Sequence, residues 1–173
     1  MKRFYSSVML PDRHPSGLFL LAFASAAGSG IGIFLLPGSG FSVSSLLGAE
    51  IPMTGIYLVC TFFLFLCGFL RGGTIGAPVL LLCFSAFAAQ QSDALAASGM
   101  TISFQNAVFL GRLFLLYLSF FYLSTQAWIA SRTFSAGSSR HIHRASPQRT
   151  FYIAEFLIVS ILAAGACEAL GTL

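Results

Sequence analysis

The sequence predicts an all-α fold, a polytopic transmembrane helical bundle of about five spans with its N-terminus inside and its C-terminus outside. Three observations predict it. Apolar stretches recur at residues 17–36, 55–70, 74–90, 105–131 and 151–170. The chain is 57% hydrophobic and only 8% charged, with a mean hydropathy of +0.87, whereas a soluble domain carries about 25% charged residues. Nearly every Lys and Arg falls on one side of the stretches. A helix rises about 1.5 Å per residue, so about 20 apolar residues cross a hydrocarbon core of about 30 Å. Only helices or closed barrels satisfy their own backbone in that core, and the stretches lack the alternation of barrel strands. They hold more than half of the 173 residues, which reads as one integral membrane domain over residues 1–173 with short loops.

The first stretch follows Lys2, Arg3 and Arg13. Ala24-Ser25-Ala26 superficially resembles a signal-peptide cleavage site, but the apolar sequence continues to Leu36, so a retained span is expected. Ala24, Gly28 and Gly32 recur every four residues. Small residues let helix backbones approach closely where lipid supplies no hydrophobic contrast. Two uses fit this face: packing among the chain's own helices, or docking of another membrane protein.

The second and third stretches meet at Arg71-Gly72-Gly73. They read either as two short spans or as a hairpin that dips into the membrane. Arg71 favours full crossing, because a dipping hairpin would leave its charge at mid-membrane. Pro78 falls in the first turns of the third stretch, where a missing N–H costs least. Gly68, Gly72 and Gly76 repeat the four-residue spacing across the turn.

The fourth stretch contains Arg112, and the fifth contains Glu155 and Glu168. Charges inside spans are expensive and require partners or water. Arg112 and Glu168 are placed at matched depth toward the outer ends, so a structural ion pair is expected. Interfacial snorkelling and a transport role are the other readings. Glu155 would reach the headgroups or meet Arg149 or Arg132. Ala163, Cys167 and Gly171 form a small-residue stripe on the fifth stretch.

Arg132, Arg140, Arg144 and Arg149 fill the loop between the fourth and fifth stretches. They are expected to contact anionic lipid headgroups, each contributing about 1 kcal/mol. The loops Pro37–Thr54 and Gln91–Phe104 contain no Lys or Arg, only Glu50 and Asp93. An N-in, C-out orientation therefore places all basic residues except Arg112 on the cytoplasmic side, as the positive-inside rule requires. The net charge of +4 sets topology and is not a nucleic-acid signature.

Catalytic and cofactor motifs are missing: no HExxH, GxSxG, Walker loop or carboxylate cluster for a divalent cation. His141 and His143 lack a third ligand nearby, and Cys60, Cys67, Cys83 and Cys167 read as small buried apolar residues in the spans. No enzymatic activity, cofactor or metal is expected. Partners would be membrane lipids, another membrane protein or further copies of the chain.

Several segments resemble the stage II sporulation protein M family of small bacterial membrane proteins. They are Phe19-Leu-Leu-Ala-Phe with Gly28-Ser-Gly-Ile-Gly32, the hairpin Cys67-Gly-Phe-Leu-Arg-Gly-Gly-Thr-Ile-Gly-Ala-Pro78, the step Phe104-Gln-Asn106, and Ala163-Ala-Gly-Ala-Cys-Glu-Ala-Leu-Gly-Thr172. The sequence departs from the family in lacking a Pro before Gln105 and in placing Leu173 where a Pro would follow. The resemblance implies a multi-pass scaffold in the bacterial cytoplasmic membrane that localises the peptidoglycan-degrading stage II sporulation proteins D and P during engulfment. A small transporter or permease subunit is the rival expectation, since Gly- and Pro-broken helices and intramembrane charge also suit transport.

The topology is testable by cysteine labelling. Impermeant reagent applied from outside should modify single cysteines placed at Ser44 and Ala96 and spare one at Ser138. Labelling at Ser138 but not at Ser44 reverses the orientation.

Overall fold

A computed structural model describes residues 15–34, 53–70, 72–97, 104–136 and 146–172. They form five helices: α1 (Pro15–Phe34), α2 (Met53–Phe69), α3 (Gly73–Ala97), α4 (Phe104–Ala136) and α5 (Ser146–Gly171). The fold is an all-helical bundle. Four helices, α1, α3, α4 and α5, are long and apolar enough to cross a membrane. The fifth, α2, is equally apolar but has 17 residues, or about 25 Å. Three helices outrun the expected spans. The apolar run of α3 fades at Gln90, yet the helix continues to Ala97, because Ala and Gln propagate a helix without needing apolar surroundings. Similarly, α4 runs five residues past Ser131, and α5 begins five residues before Phe151.

Side-chain contacts fix the helix directions. Gly28 abuts Leu82 and Ser85, and Gly32 abuts Ala86 and Ala89, so α1 and α3 run parallel. Tyr57 meets Phe120 and Phe69 meets Phe134, so α2 and α4 run parallel. Phe84 meets Phe120, Gly73 meets Ser131, and Phe65 meets both Tyr152 and Phe156, so the two sets are mutually antiparallel. The chain therefore goes up and down five times. The α2–α3 turn reaches the level of Ser131, beside Arg132, and the start of α2 reaches the level of Glu168. Helix α2 thus traverses the bundle between those levels rather than forming a shallow hairpin.

The bundle is apolar outside as well as inside, unlike a soluble protein. Exposed positions include Phe19 at 75%, Phe34 at 79% and Ile75 at 71%, while Ser25, Ser85, Ser124, Ser131, Ser160, Thr54 and Thr61 are buried. Such a broad apolar exterior matches a lipid solvent and would aggregate in water. Most of the buried hydroxyls return their protons to their own helix: Ser85 to the Leu82 carbonyl (3.0 Å), Ser124 to Phe120 (2.8 Å), Ser131 to Trp128 (3.0 Å) and Ser160 to Phe156 (2.6 Å). This local bonding makes serine affordable inside a bundle that excludes water.

Glycine sets the closest approach. A Cβ on Gly28 would overlap Ser85 Oγ and the Leu82 carbonyl oxygen, and one on Gly32 would overlap the Ala86 carbonyl oxygen. With Ala24 also buried, the small-residue face of α1 lies against α3 within the chain. The expectation that all four cysteines are buried is corrected at Cys83, which is exposed, while Cys60 and Cys67 are half-buried and Cys167 is buried. An apolar thiol is compatible with a lipid-facing position.

Replacing Gly28 or Gly32 by Ala should force α1 off α3 and destabilise the protein by about 1–3 kcal/mol. Gly30 has open space around it, so Gly30→Ala should be neutral. Unfolding in mixed micelles measures all three; equal stability of the three variants would exclude a glycine-mediated contact.

Candidate functional site

Three features of the bundle bring polar or charged side chains together. The first is at the end formed by the close of α4 and the opening of α5. Arg132 stacks on Trp128 with its Cζ 4.1 Å from the ring centroid, as the four-residue spacing on one helix face permits. Gly17 lies directly against the six-membered ring of Trp128, so α1 helps to hold the platform. Arg149 stands 5.4 Å above the Phe134 ring. Phe134 stacks on Phe69 at 5.6 Å, and Phe65 stacks on Tyr152 at 5.7 Å and 4°. The Tyr152 hydroxyl donates to the Phe65 carbonyl at 3.3 Å. A guanidinium held by its face on an aromatic ring keeps its N–H edge free for an anion. Arg140 and Arg144 lie outside the described residues, as do His141 and His143.

The second feature is at the opposite end. Arg112 of α4 lies flat against the last turn of α5: a Cβ on Gly171 would stand 2.7 Å from Nη1, 2.8 Å from Cζ and 3.0 Å from Nη2. Its Nε is buried and has no hydrogen-bond partner. The exposed Glu168, three residues earlier on α5, accepts a hydrogen bond from the Thr54 hydroxyl at the start of α2. The structure thus brings Arg112 and Glu168 to one end of the bundle, one helical turn apart along α5. Glu155 accepts a hydrogen bond from Tyr122 rather than meeting an arginine, which ties α4 to α5 midway.

The third feature is a groove of about 420 Å³ between α1, α3 and α4. Its floor is Ser85, Ala88, Ala89 and Ser92 of α3. Ser29 and Ile33 form one wall; Leu110, Leu113, Phe114 and Tyr117 form the other. A hydrogen bond between the Ser25 and Tyr117 hydroxyls closes the groove at its base. Beyond that bond, small residues on α3 leave the space between α1 and α4 unfilled. Ser29 donates to the Ser25 carbonyl at 3.1 Å and Ser92 to the Ala89 carbonyl at 2.8 Å, so the groove presents hydroxyl lone pairs rather than free donors. Among the described residues no group of three His, Cys, Asp or Glu side chains is placed to hold a metal ion.

Sequence reasoning singled out the arginines and Glu168 but missed Trp128, Phe134, Tyr122 and Thr54, which position them. The Trp128–Arg132 spacing was a usable signal. No local pattern links Thr54 to Glu168, because the pairing depends on how α2 docks on α5. The chain matches no protein-family model, no curated protein and no solved structure.

Neutralising Arg132 and Arg149 together by Gln should reduce co-purifying phosphatidylglycerol, at about 1 kcal/mol per arginine, and the loss should shrink as ionic strength rises. Unchanged lipid content at low salt would show that the two arginines only stack on their rings.

Proposed function

We propose that the chain is a non-enzymatic membrane scaffold, similar in role to the stage II sporulation protein M family, which localises peptidoglycan-remodelling partners in a bacterial cytoplasmic membrane during sporulation and engulfment. The observation that carries this reading is the filled centre of the bundle. Phe84 and Phe120 stack at 4.3 Å, and Tyr57 meets them edge-on at 6.1 and 6.3 Å. Leu64, Leu81, Leu116 and Leu123 are fully buried around this layer. A solute pathway through the monomer would have to displace those side chains, whereas a scaffold needs the rigid body they create. In that role the outer surfaces carry the function. Proteins resembling stage II sporulation proteins D and P are the partners this reading names, with self-association into a homo-oligomer also compatible.

A second reading, a small transporter or permease subunit, draws on the groove between α1, α3 and α4, whose floor carries two serine hydroxyls. It places the pathway at the edge of the monomer and would require a second chain to close it.

The two readings separate in one set of preparations. Affinity purification after cross-linking in host membranes should recover wall hydrolases with the scaffold, and proteoliposomes should show no solute flux above empty vesicles. Flux without recovery of any wall-remodelling protein would overturn the scaffold and favour the transport subunit.

A further inference from the structure

The end of the bundle built from Thr54, Arg112, Glu168 and Gly171 has opposite charges at positions one helical turn apart along α5. The Arg112 guanidinium rests on Gly171, where a side chain would leave it no room. Its Nε faces inward without a partner. The Glu168 carboxylate, one turn earlier on α5, is exposed and receives one hydrogen bond, from Thr54. An isolated anion arriving at Arg112 would be repelled by Glu168, and an isolated cation arriving at Glu168 would be repelled by Arg112. A group carrying both charges meets attraction at each point.

The setting defines which zwitterion fits. Helix α5 ends within three residues of Glu168, and Thr54 is the second residue of α2. Helix α4 continues eight residues beyond Arg112 to Phe104, about 12 Å. The charges therefore sit on a step where two apolar helices stop and a third rises past them, the level at which a bilayer changes from hydrocarbon to headgroup. Along the exposed side of α5 next to Glu168, Gly165 has open space around it and Ile161 is 66% exposed. That strip offers a smooth apolar track leading away from the charges toward mid-membrane.

We propose that this step binds the headgroup of a phosphoethanolamine lipid, with the phosphate against the Arg112 guanidinium and the ammonium on the Glu168 carboxylate. Guanidinium N–H groups match phosphate oxygens in geometry and charge. The ammonium supplies the donors that the exposed carboxylate oxygens lack. The acyl chains follow the Gly165 and Ile161 track. Thr54 is a positioning residue that holds the carboxylate toward the step. This inference rests on the membrane placement of the helices and not on the scaffold role.

The test uses the full chain purified in detergent, with dioleoyl phosphatidylethanolamine and dioleoyl phosphatidylglycerol added in competition and bound lipid counted by native mass spectrometry. The parent protein should prefer the ethanolamine lipid. Glu168→Gln should shift the preference toward the glycerol lipid by about tenfold, the effect of one charge-assisted hydrogen bond. Arg112→Gln should lower retention of both lipids, and Arg112→Lys, which keeps the charge, should retain part of it if the Gln variant fails to fold. Ratios between variant and parent are insensitive to lipid bound at the basic end. An unchanged lipid ratio in Glu168→Gln overturns the proposal. So does displacement of the lipid by soluble glycerophosphoethanolamine at equal concentration, which would make the site one for a free solute. A third overturning result is a charge-swapped Arg112→Glu, Glu168→Arg double variant that regains the thermal stability lost by each single Gln variant, with lipid retention unchanged throughout. Arg112 and Glu168 would then act as a direct ion pair.

Discussion

Helix α4 packs against all four other helices, and its contact with α3 at Phe84 and Phe120 is the point on which their arrangement depends. The two rings lie 4.3 Å apart and nearly parallel, and Tyr57 of α2 closes on both edges. In lipid the apolar side chains gain little by leaving the solvent, so association rests on close packing and on hydrogen bonds. The aromatic layer supplies the first. The second is supplied from the same places: the Ser119 hydroxyl gives its one proton to the Leu116 carbonyl at 2.9 Å and accepts from the Tyr57 hydroxyl at 3.0 Å. Once α2, α3 and α4 are fixed by this layer, α1 can only attach to the free side of α3, and α5 to the side shared by α2 and α4.

The attachments of α1 and α5 use different physics. Helix α1 comes close through the absence of side chains at Gly28 and Gly32, so its contact is one of backbone against backbone. Helix α5 is joined by aromatic side chains at one end, through Tyr152 and Phe156, and by carboxylate hydrogen bonds from Tyr122 and Thr54 farther along. A glycine contact is intolerant of any added atom, whereas rings and long side chains accommodate small shifts. The α1–α3 contact is accordingly the one most sensitive to substitution by a larger residue.

Much of this was legible in the sequence, for identifiable reasons. The helices were, because twenty apolar residues in a row leave the backbone no alternative in lipid. Their alternation of direction followed from the one-sided arginines, and the four-residue spacing of Ala24, Gly28 and Gly32 announced a close contact. The helix ends were less legible. Hydropathy reports where lipid begins, not where hydrogen bonding stops, so α3 exceeds its apolar run by seven residues ending at Ala97. The partners of the charged residues were hidden for another reason. Tyr122, Thr54 and Phe134 are common residues in apolar helices, and their roles arise only from how helices rotate against one another, whereas Trp128 and Arg132 share one helix and their four-residue spacing was readable. The groove was invisible because its lining comes from three helices, so it belongs to no single segment.

The two ends of the bundle treat charge in opposite ways, and the difference bears on what each can recognise. At the basic end, Arg132 and Arg149 stand on aromatic rings that carry no net charge, so no carboxylate neutralises them there. At the other end, Arg112 and Glu168 lie one turn apart, and their fields largely cancel a short distance away. The first arrangement attracts any anionic surface and discriminates by charge alone. The second has little long-range pull and discriminates by the local order of positive and negative groups, which requires a ligand to fit before it gains anything. Membrane proteins orient themselves by the first kind of contact. Selective recognition, whether of a lipid or of a partner segment with paired charges, needs the second kind. The helix that carries Glu168, α5, is joined to the bundle by side-chain hydrogen bonds and aromatic contacts, whereas α1 meets α3 through glycines, so the selective end is built from side chains and not from backbone contact.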